Sequence, residues 1–387
     1  MSGGSQILES QRYLFDVPDE VAYFNSAYNT PQLRASTANL IDGAKSKARP
    51  WERTPEDFFQ DAETIRLLGS ELFGGKADNY AIVPSASYGM STAARALEPH
   101  VSSMNEIIVL EEAFPSNFLP WQRLSQETGA QIVTVPTPRD LDWTRAILGA
   151  ISTATQVVAV PHCHWTNGAK IDLQAVSTAV RSVGAVLAID ATQSLGAMPL
   201  DLEVVQPDFL VAAGYKWLLC PYGFSLLYVS DRWHTARPME ESWLAREAAE
   251  NFANLVNYSP NYMPGARRFD VGQKCTATIL PGAIAALRQI KSWSIPAISE
   301  TLRQTNNTIA EHARSIGLET PSDKSRSPHM FGVRLPSKFE GSIVAKLAER
   351  KIYVSQRGDA LRFAPHVHIT SHDIERLLET LSCLLIE

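Results

Sequence analysis

The sequence predicts an α/β protein: a mostly parallel sheet with helices on both faces, followed by a smaller α+β unit. Three observations predict it. Short apolar runs alternate with segments of helical period through the first two-thirds of the chain. Those runs are apolar throughout instead of alternating, which a strand requires only when both of its faces are covered. At 387 residues the chain is also too long for one ordinary core, so two units sharing an interface are expected.

The elements follow in order. Residues 1–5 read as a frayed end. Apolar residues at helical spacing over 64–73 end at Gly74-Gly75, a helix stop. Strand signals at 80–83, 107–110, 131–135, 156–160, 185–189, 209–212 and 224–228 are interleaved with helical patterns at 91–97 and 173–183. From about residue 281 the pattern changes: helices to 293 and 313, a strand over 331–335, a helix over 342–350, strands near 353 and at 360–363, and a final helix from 371. The expected division is a large unit over 17–285 and a small one over 286–387, with 1–16 as a leading segment.

Composition excludes several classes. Hydrophobic content of 45% with 20% charge is ordinary for a globular protein, and a net charge of −6 without basic runs gives no footing for nucleic acid or an anionic membrane. The first residues lack a charged-then-apolar leader, and no apolar stretch is long enough to span a membrane. Cys163, Cys220, Cys275 and Cys383 fit no zinc spacing and read as reduced thiols, so a cytoplasmic location is expected.

In parallel α/β sheets, ligands sit beyond the carboxyl ends of the strands. The segments there are 84–89, 111–117, 161–168, 190–193 and 213–216, all polar or glycine-bearing. One holds Ala213-Gly214-Tyr215-Lys216-Trp217. A lone lysine is usually a surface charge. One buried at a strand end tends to lose its proton, which is what a Schiff-base lysine requires. Upstream, Asp190 closes another strand, where a carboxylate pairs with a protonated pyridine nitrogen, and Gln193 stands within reach of a ring oxygen. Alone, Asp190 reads as a helix cap and Gln193 as a loop hydrogen bond. His162 and His164 suggest a metal, but no further ligand accompanies them.

Taken together, Ala188-Ile189-Asp190-Ala191-Thr192-Gln193, Gly214-Tyr215-Lys216-Trp217 and Pro221-Tyr222-Gly223 resemble the class V aminotransferase family. The likeness runs from Tyr23-Phe24-Asn25-Ser26-Ala27 to Leu361-Arg362-Phe363-Ala364-Pro365-His366. That family includes cysteine desulfurases, kynureninases and isopenicillin N epimerases. The resemblance implies a fold-type-I transferase with a seven-stranded sheet, pyridoxal 5'-phosphate as cofactor on Lys216, a small amino-acid-like substrate, and a homodimer with shared sites. It places Ser85, Ala86 and Ser87 at a helix N-terminus that holds the phosphate, and Phe114 on the cofactor ring. His164 falls on the phenolic side of the ring, Tyr215 on the phosphate, and Gln273 on the partner's phosphate. Trp243 is implied in the same intersubunit patch. Arg362 is implied as the carboxylate clamp, with Asn25 and Tyr28 on the substrate side. Read alone, Arg362 would instead pair with Asp359 or Asp373. Desulfurases carry a nucleophilic cysteine just before this arginine; here Val354-Ser355-Gln356-Arg357-Gly358-Asp359-Ala360-Leu361 has none. Gln193 likewise replaces the histidine of kynureninases. The leading expectation is an aminotransferase acting on an amino acid or amine. A C–S β-lyase, an epimerase and a cofactor-bearing scaffold stand as alternatives.

Overall fold

Residues 7–335 and 343–386 are described by a computed structural model. Residues 1–5 and Ser342 therefore lie outside it. In chain order the strands are β1 (Ala22–Tyr23), β2 (Tyr80–Val83), β3 (Glu106–Leu110), β4 (Gln131–Val135), β5 (Thr155–Pro161) and β6 (Val186–Asp190). They continue with β7 (Phe209–Ala213), β8 (Ser225–Val229), β9 (Phe331–Arg334), β10 (Ile352–Tyr353), β11 (Ser355–Arg357) and β12 (Ala360–Phe363). The helices are α1 (Arg34–Lys47), α2 (Gln60–Phe73), α3 (Ala86–Leu97), α4 (Leu119–Thr128), α5 (Trp143–Ala150) and α6 (Leu173–Ser182). After them come α7 (Leu202–Val205), α8 (Leu280–Trp293), α9 (Ile295–Ser315), α10 (Ile343–Glu349) and α11 (Ser371–Ile386).

The apolar runs from residue 80 to 228 assemble into one seven-stranded sheet of order β2-β8-β7-β6-β5-β3-β4. Only β8 runs against its neighbours; β7, β6, β5, β3 and β4 pair in parallel. Period-two alternation sends Ile108, Val158, Val160, Leu187, Ile189 and Leu210 into one core and Ile107, Val109, Val157, Ala159, Ala188 and Val211 into another. Both faces are covered, which is why the runs read as continuous apolar sequence.

Three of the longer helices, α1, α4 and α5, escape sequence reading. α1 buries only Ser36 and Gly43. It packs on α8 and the turn before it through missing side chains: a Cβ on Gly282 would stand 2.6 Å from Leu40 Cδ2, and one on Gly43 1.8 Å from the Ala277 carbonyl oxygen. Ser36 Oγ donates to the Gly282 carbonyl at 2.9 Å across the same contact. α4 buries Trp121 and Leu124, and α5 buries Trp143 and Ile147, two residues apiece.

A third apolar cluster joins Phe24, Ile309, Phe331, Leu347, Phe363 and Leu377. There β9, β12 and β11 form an antiparallel sheet, and β1 pairs with β10 in parallel. A further bridge joins Asn25 to Ala364, so the residues after β1 lie beside the end of β12. All four cysteines are free thiols. Among the described residues no helix is long and apolar enough to cross a membrane, and no cluster of His, Cys, Asp and Glu is arranged to hold a metal.

Candidate active site

The loops beyond β2, β3, β5, β6 and β7 converge, as the strand order requires, because β7, β6, β5 and β3 are successive neighbours running the same way. Those beyond β3, β5, β6 and β7 enclose a pocket whose walls include Phe114, His164, Trp165, Asp190, Gln193 and Lys216.

Lys216 follows the end of β7 after a bend at Gly214, where a Cβ would meet the Phe224 carbonyl oxygen at 2.7 Å. It is 5% exposed. Burial lowers its pKa from 10.5 to about 8, against the opposing pull of Asp190. Its Nζ lies 5.5 Å from the Phe114 ring centroid and 5.7 Å from that of Tyr215. Asp190, the last residue of β6, is buried, and its Oδ1 accepts from the Thr192 N–H at 3.0 Å. Thr192 Oγ1 in turn accepts from the Ala213 N–H at 3.1 Å, tying this carboxylate to the strand that delivers the lysine. Desolvation raises the Asp190 pKa above the usual carboxylate range. A cation entering beside it would restore the charged form.

Phe114 rests edge-on against Trp165, centroids 5.4 Å apart. His164 stacks on buried Trp143 at 5.1 Å, with Thr166 Oγ1 at 2.8 Å from one ring nitrogen and the Glu111 carbonyl at 3.3 Å from the other. Burial lowers its pKa to about 4, so the ring is neutral. Gln193 lines the pocket but anchors its amide elsewhere: Nε2 donates to the Ala27 carbonyl at 3.0 Å, and Oε1 accepts from Trp217 Nε1 at 3.0 Å.

At the end of β2, Ser85 caps α3, its Oγ accepting from the Tyr88 N–H at 3.1 Å and lying 2.9 Å from Ser87 Oγ. Ala86 opens the helix and Ser87 is exposed. The free N–H groups of this first turn form an anion-binding end. Tyr215 stacks on Tyr222 at 4.0 Å. Gln273 is exposed and outside the pocket lining. Its neighbour Gly272 is held near α3: Glu240 Oε2 accepts from the Gly272 N–H at 2.9 Å, and Glu240 Oε1 from Tyr88 Oη at 2.7 Å. Trp243 lies apart from Trp165, edge-on to Phe252 at 5.5 Å.

Arg362 is 1% exposed. Its Nε donates to Ser355 Oγ at 3.2 Å and its Nη1 to the Trp165 carbonyl at 2.5 Å, while Nη2 is buried without a partner. The alternative ion pairs are taken: Asp359 binds Arg334 at 2.8 Å and Asp373 binds Arg12 at 2.7 Å. Burial drives the Arg362 pKa down to about 9. Asn25 Oδ1 is a second buried polar atom without a partner, and Tyr28 beside it is exposed. The supports of Arg362 at Trp165 and Ser355 leave no local trace in sequence, because the Trp165 contact spans 197 positions.

Fold and pocket together define a class: fold-type-I α/β enzymes with a buried lysine after one strand and a buried aspartate closing its neighbour. The aminotransferase class-V family model matches residues 33–375, and the chain belongs to that family. It is, with that family, a pyridoxal-phosphate-dependent enzyme. It is 24% identical to an uncharacterised aminotransferase of Bacillus subtilis, over 91% of this chain and 95% of that one. It is 23% identical to the isopenicillin N epimerase of Streptomyces clavuligerus, over 81% and 82% of the two chains. The solved apo cysteine desulfurase of Thermococcus onnurineus shares the fold with a TM-score of 0.85 at 17% identity, covering 98% of this chain and 99% of that one. A lysine-to-alanine mutant of C-DES with glycine linked to its cofactor superposes with a TM-score of 0.87 at 18% identity, over 96% and 99%. The residues present fit the cofactor: a buried amine of depressed pKa and a buried carboxylate line one pocket, and a serine-capped helix end follows β2 of the same sheet.

Proposed function

We propose that this chain is an aminotransferase of small amino acids, working in the cytoplasm as a homodimer. Its large cofactor-binding unit spans 17–285 and its smaller unit 286–387. The observation that carries the reading is the burial of Lys216 and Asp190 in one pocket near the unpartnered Nη2 of Arg362. When bound, pyridoxal phosphate withdraws electrons from the substrate's α-carbon and makes its proton removable.

The residues then divide the work. Asp190 would keep the pyridine nitrogen protonated, and Phe114 would pack on the ring. Ser85, Ala86, Ser87 and Tyr215 would hold the phosphate, with Gln273 from the other subunit. His164 and Gln193 would stand on the phenolic side. Lys216 would anchor the cofactor and, as a free amine, would accept the substrate's α-proton and carry it. Its pKa near 8 leaves about a tenth of it neutral at pH 7, far more than an ordinary lysine would have. Arg362 grips the α-carboxylate, while Asn25 and Tyr28 close the substrate side.

A persulfide mechanism lacks its nucleophile. Cys163 lines the pocket but is fully buried, and burial raises its thiol to about 12. Purified protein is incubated with pyridoxal phosphate, reduced with borohydride and weighed. A single cofactor adduct on Lys216, absent in Lys216→Ala, is expected; an unlabelled Lys216 sinks the reading. A panel of amino acids with a keto-acid acceptor then reports the reaction. Keto acid from the donor supports transamination, whereas pyruvate with released thiol, or inverted stereochemistry alone, overturns it in favour of lyase or epimerase chemistry.

A further inference from the structure

The β11–β12 hairpin carries a second arginine for which the site described so far has no use. Its register sets Ser355 opposite Arg362 and Arg357 opposite Ala360. Directly opposed residues share a face, so Ser355, Arg357, Ala360 and Arg362 lie together, while Leu361 and Phe363 face the apolar cluster behind. Arg357 and Arg362 are thus diagonal neighbours, a relation that separates two positions by about 7–8 Å.

Both converge on one pocket residue. Arg362 donates to the Trp165 carbonyl, and the guanidinium carbon of Arg357 lies 5.8 Å from the Trp165 ring centroid. Stacking on indole fixes the guanidinium plane and leaves its edge N–H groups for another partner. One of them, Nη1, donates only to the neighbouring Gln356 carbonyl at 2.8 Å. Among the described residues no carboxylate pairs with Arg357 or Arg362, because the hairpin's own acid, Asp359, binds Arg334.

Two adjacent guanidiniums that share a face with no counter-charge repel each other. The charge of Arg357 is felt by both Arg362 and Lys216. Against these three basic groups, the acid lining the pocket is Asp190. A single α-carboxylate on Arg362 still leaves Arg357 uncompensated.

We propose that Arg357 binds a second anionic group on the substrate. The site then takes a dicarboxylic amino acid, its α-carboxylate on Arg362 and its side-chain carboxylate on Arg357. The inference rests on the reading of Arg362 as the α-carboxylate clamp. A diacid of four or five carbons bridges the two positions and supplies the missing charge. Arg357 is accordingly a specificity residue, acting on binding at the far end from the reacting carbon.

The test uses cofactor-loaded protein and two unreactive probes, glutarate and butyrate, titrated by calorimetry. Glutarate is expected to bind more tightly than butyrate in the wild type. Arg357→Gln should weaken glutarate about tenfold more than it changes butyrate, the usual effect of losing a charge-assisted hydrogen bond. Arg362→Gln should weaken both probes. In turnover, Arg357→Gln should lower kcat/KM for glutamate about tenfold more than it lowers that for 2-aminobutyrate, so the ratio of the two reports the lost side-chain contact. Equal binding of the two probes by the wild type overturns the proposal. So does an Arg357→Gln variant that weakens both probes alike, since both arginines would then clasp one carboxylate. Failure of Lys216 to bind the cofactor defeats the broader reading. Normal cofactor attachment without diacid preference defeats this proposal alone.

Discussion

Burial costs an ammonium more than one nearby carboxylate returns, and Lys216 shows the balance. Asp190 pulls its pKa up, desolvation pulls harder the other way, and the value settles near 8 instead of 10.5. The chemistry needs that outcome, because a free amine is both the nucleophile and the proton acceptor. The same balance makes Lys216 a liability in the cofactor-free protein. Between pH 8 and 10.5 the unfolded chain binds the proton that the native chain has released, so stability rises with pH across that window. The penalty is present in full below the folded pKa and gone above the unfolded one. Its ceiling is about 3 kcal/mol, from roughly 1.4 kcal/mol per pKa unit. Apo Lys216→Met should therefore unfold at higher urea than apo wild type at pH 7, with the gap closing near pH 10. A gap that stays constant with pH would show that Lys216 is not held neutral by burial.

Among the elements, the strands were legible and several attachments were not. Each strand of the large sheet is buried on both faces, so its sequence is a short unbroken apolar run that no surface element imitates. Helix α1 hides because its contact is made by glycine and serine instead of an apolar stripe. The segment carrying Gln273 hides for another reason: one buried carboxylate holds it. Asp270 Oδ1 accepts from the Ile82 N–H of β2 at 2.9 Å, and its Oδ2 accepts from Lys274 Nζ at 2.8 Å and from the guanidinium of Arg66. These partners lie 188 and 204 positions away for Ile82 and Arg66, beyond any local pattern. All three charged groups are buried; burial alone would push the Asp270 carboxyl up, and the charges and hydrogen bonds of Arg66 and Lys274 outweigh it and hold the carboxyl below its ordinary pKa. Asp270→Asn leaves two buried cations with a weaker partner and should cost about 3–5 kcal/mol by urea denaturation. Glu241→Gln, which breaks an ion pair to Arg246 with an exposed carboxylate, should cost under about 1 kcal/mol. Equal losses would remove Asp270 from its role as the fastening of that segment. For the candidate site, the convergence of Lys216 and Asp190 in one pocket was legible because both close strands of the sheet, whereas Arg362 was reached only through the family resemblance. Arg357 was not legible, because its meaning lies in cross-strand register.

At the scale of the whole molecule, four buried histidines knit distant parts of the chain behind the active site. His329 Nε2 bonds the Gln193 carbonyl, and His368 Nε2 lies 3.1 Å from the carbonyl of Tyr23. Trp217, next to Lys216, meets His329 edge-on at 4.4 Å and stacks on His366 at 5.7 Å. His162 completes the set, its Nδ1 buried without a partner. Desolvation is the leading cause in each, lowering His162 to about 3, His329 and His368 to about 4, and His366 well below 6.5. A histidine whose folded pKa is depressed contributes stability that is present above the unfolded pKa of 6.5. That stability is lost as pH falls toward the folded value, because the unfolded chain takes up protons the native chain refuses. At pH 5 His162, His329 and His368 then each cost about 2 kcal/mol, at roughly 1.4 kcal/mol per unit. Those three reach on the order of 6 kcal/mol, within the roughly 5–15 kcal/mol that holds a native protein folded, and His366 acts in the same direction. The unfolding free energy should therefore collapse between pH 7 and pH 5, above the range in which the paired carboxylates Glu63 and Asp270, both held below their ordinary values, begin to take up protons. Urea denaturation at pH 7, 6 and 5 reads the slope, and His366→Phe, which removes one titrating ring while keeping an aromatic against Trp217, should make it shallower. If the unfolding free energy stays level from pH 7 to 5, these histidines are not refusing protons in the native state.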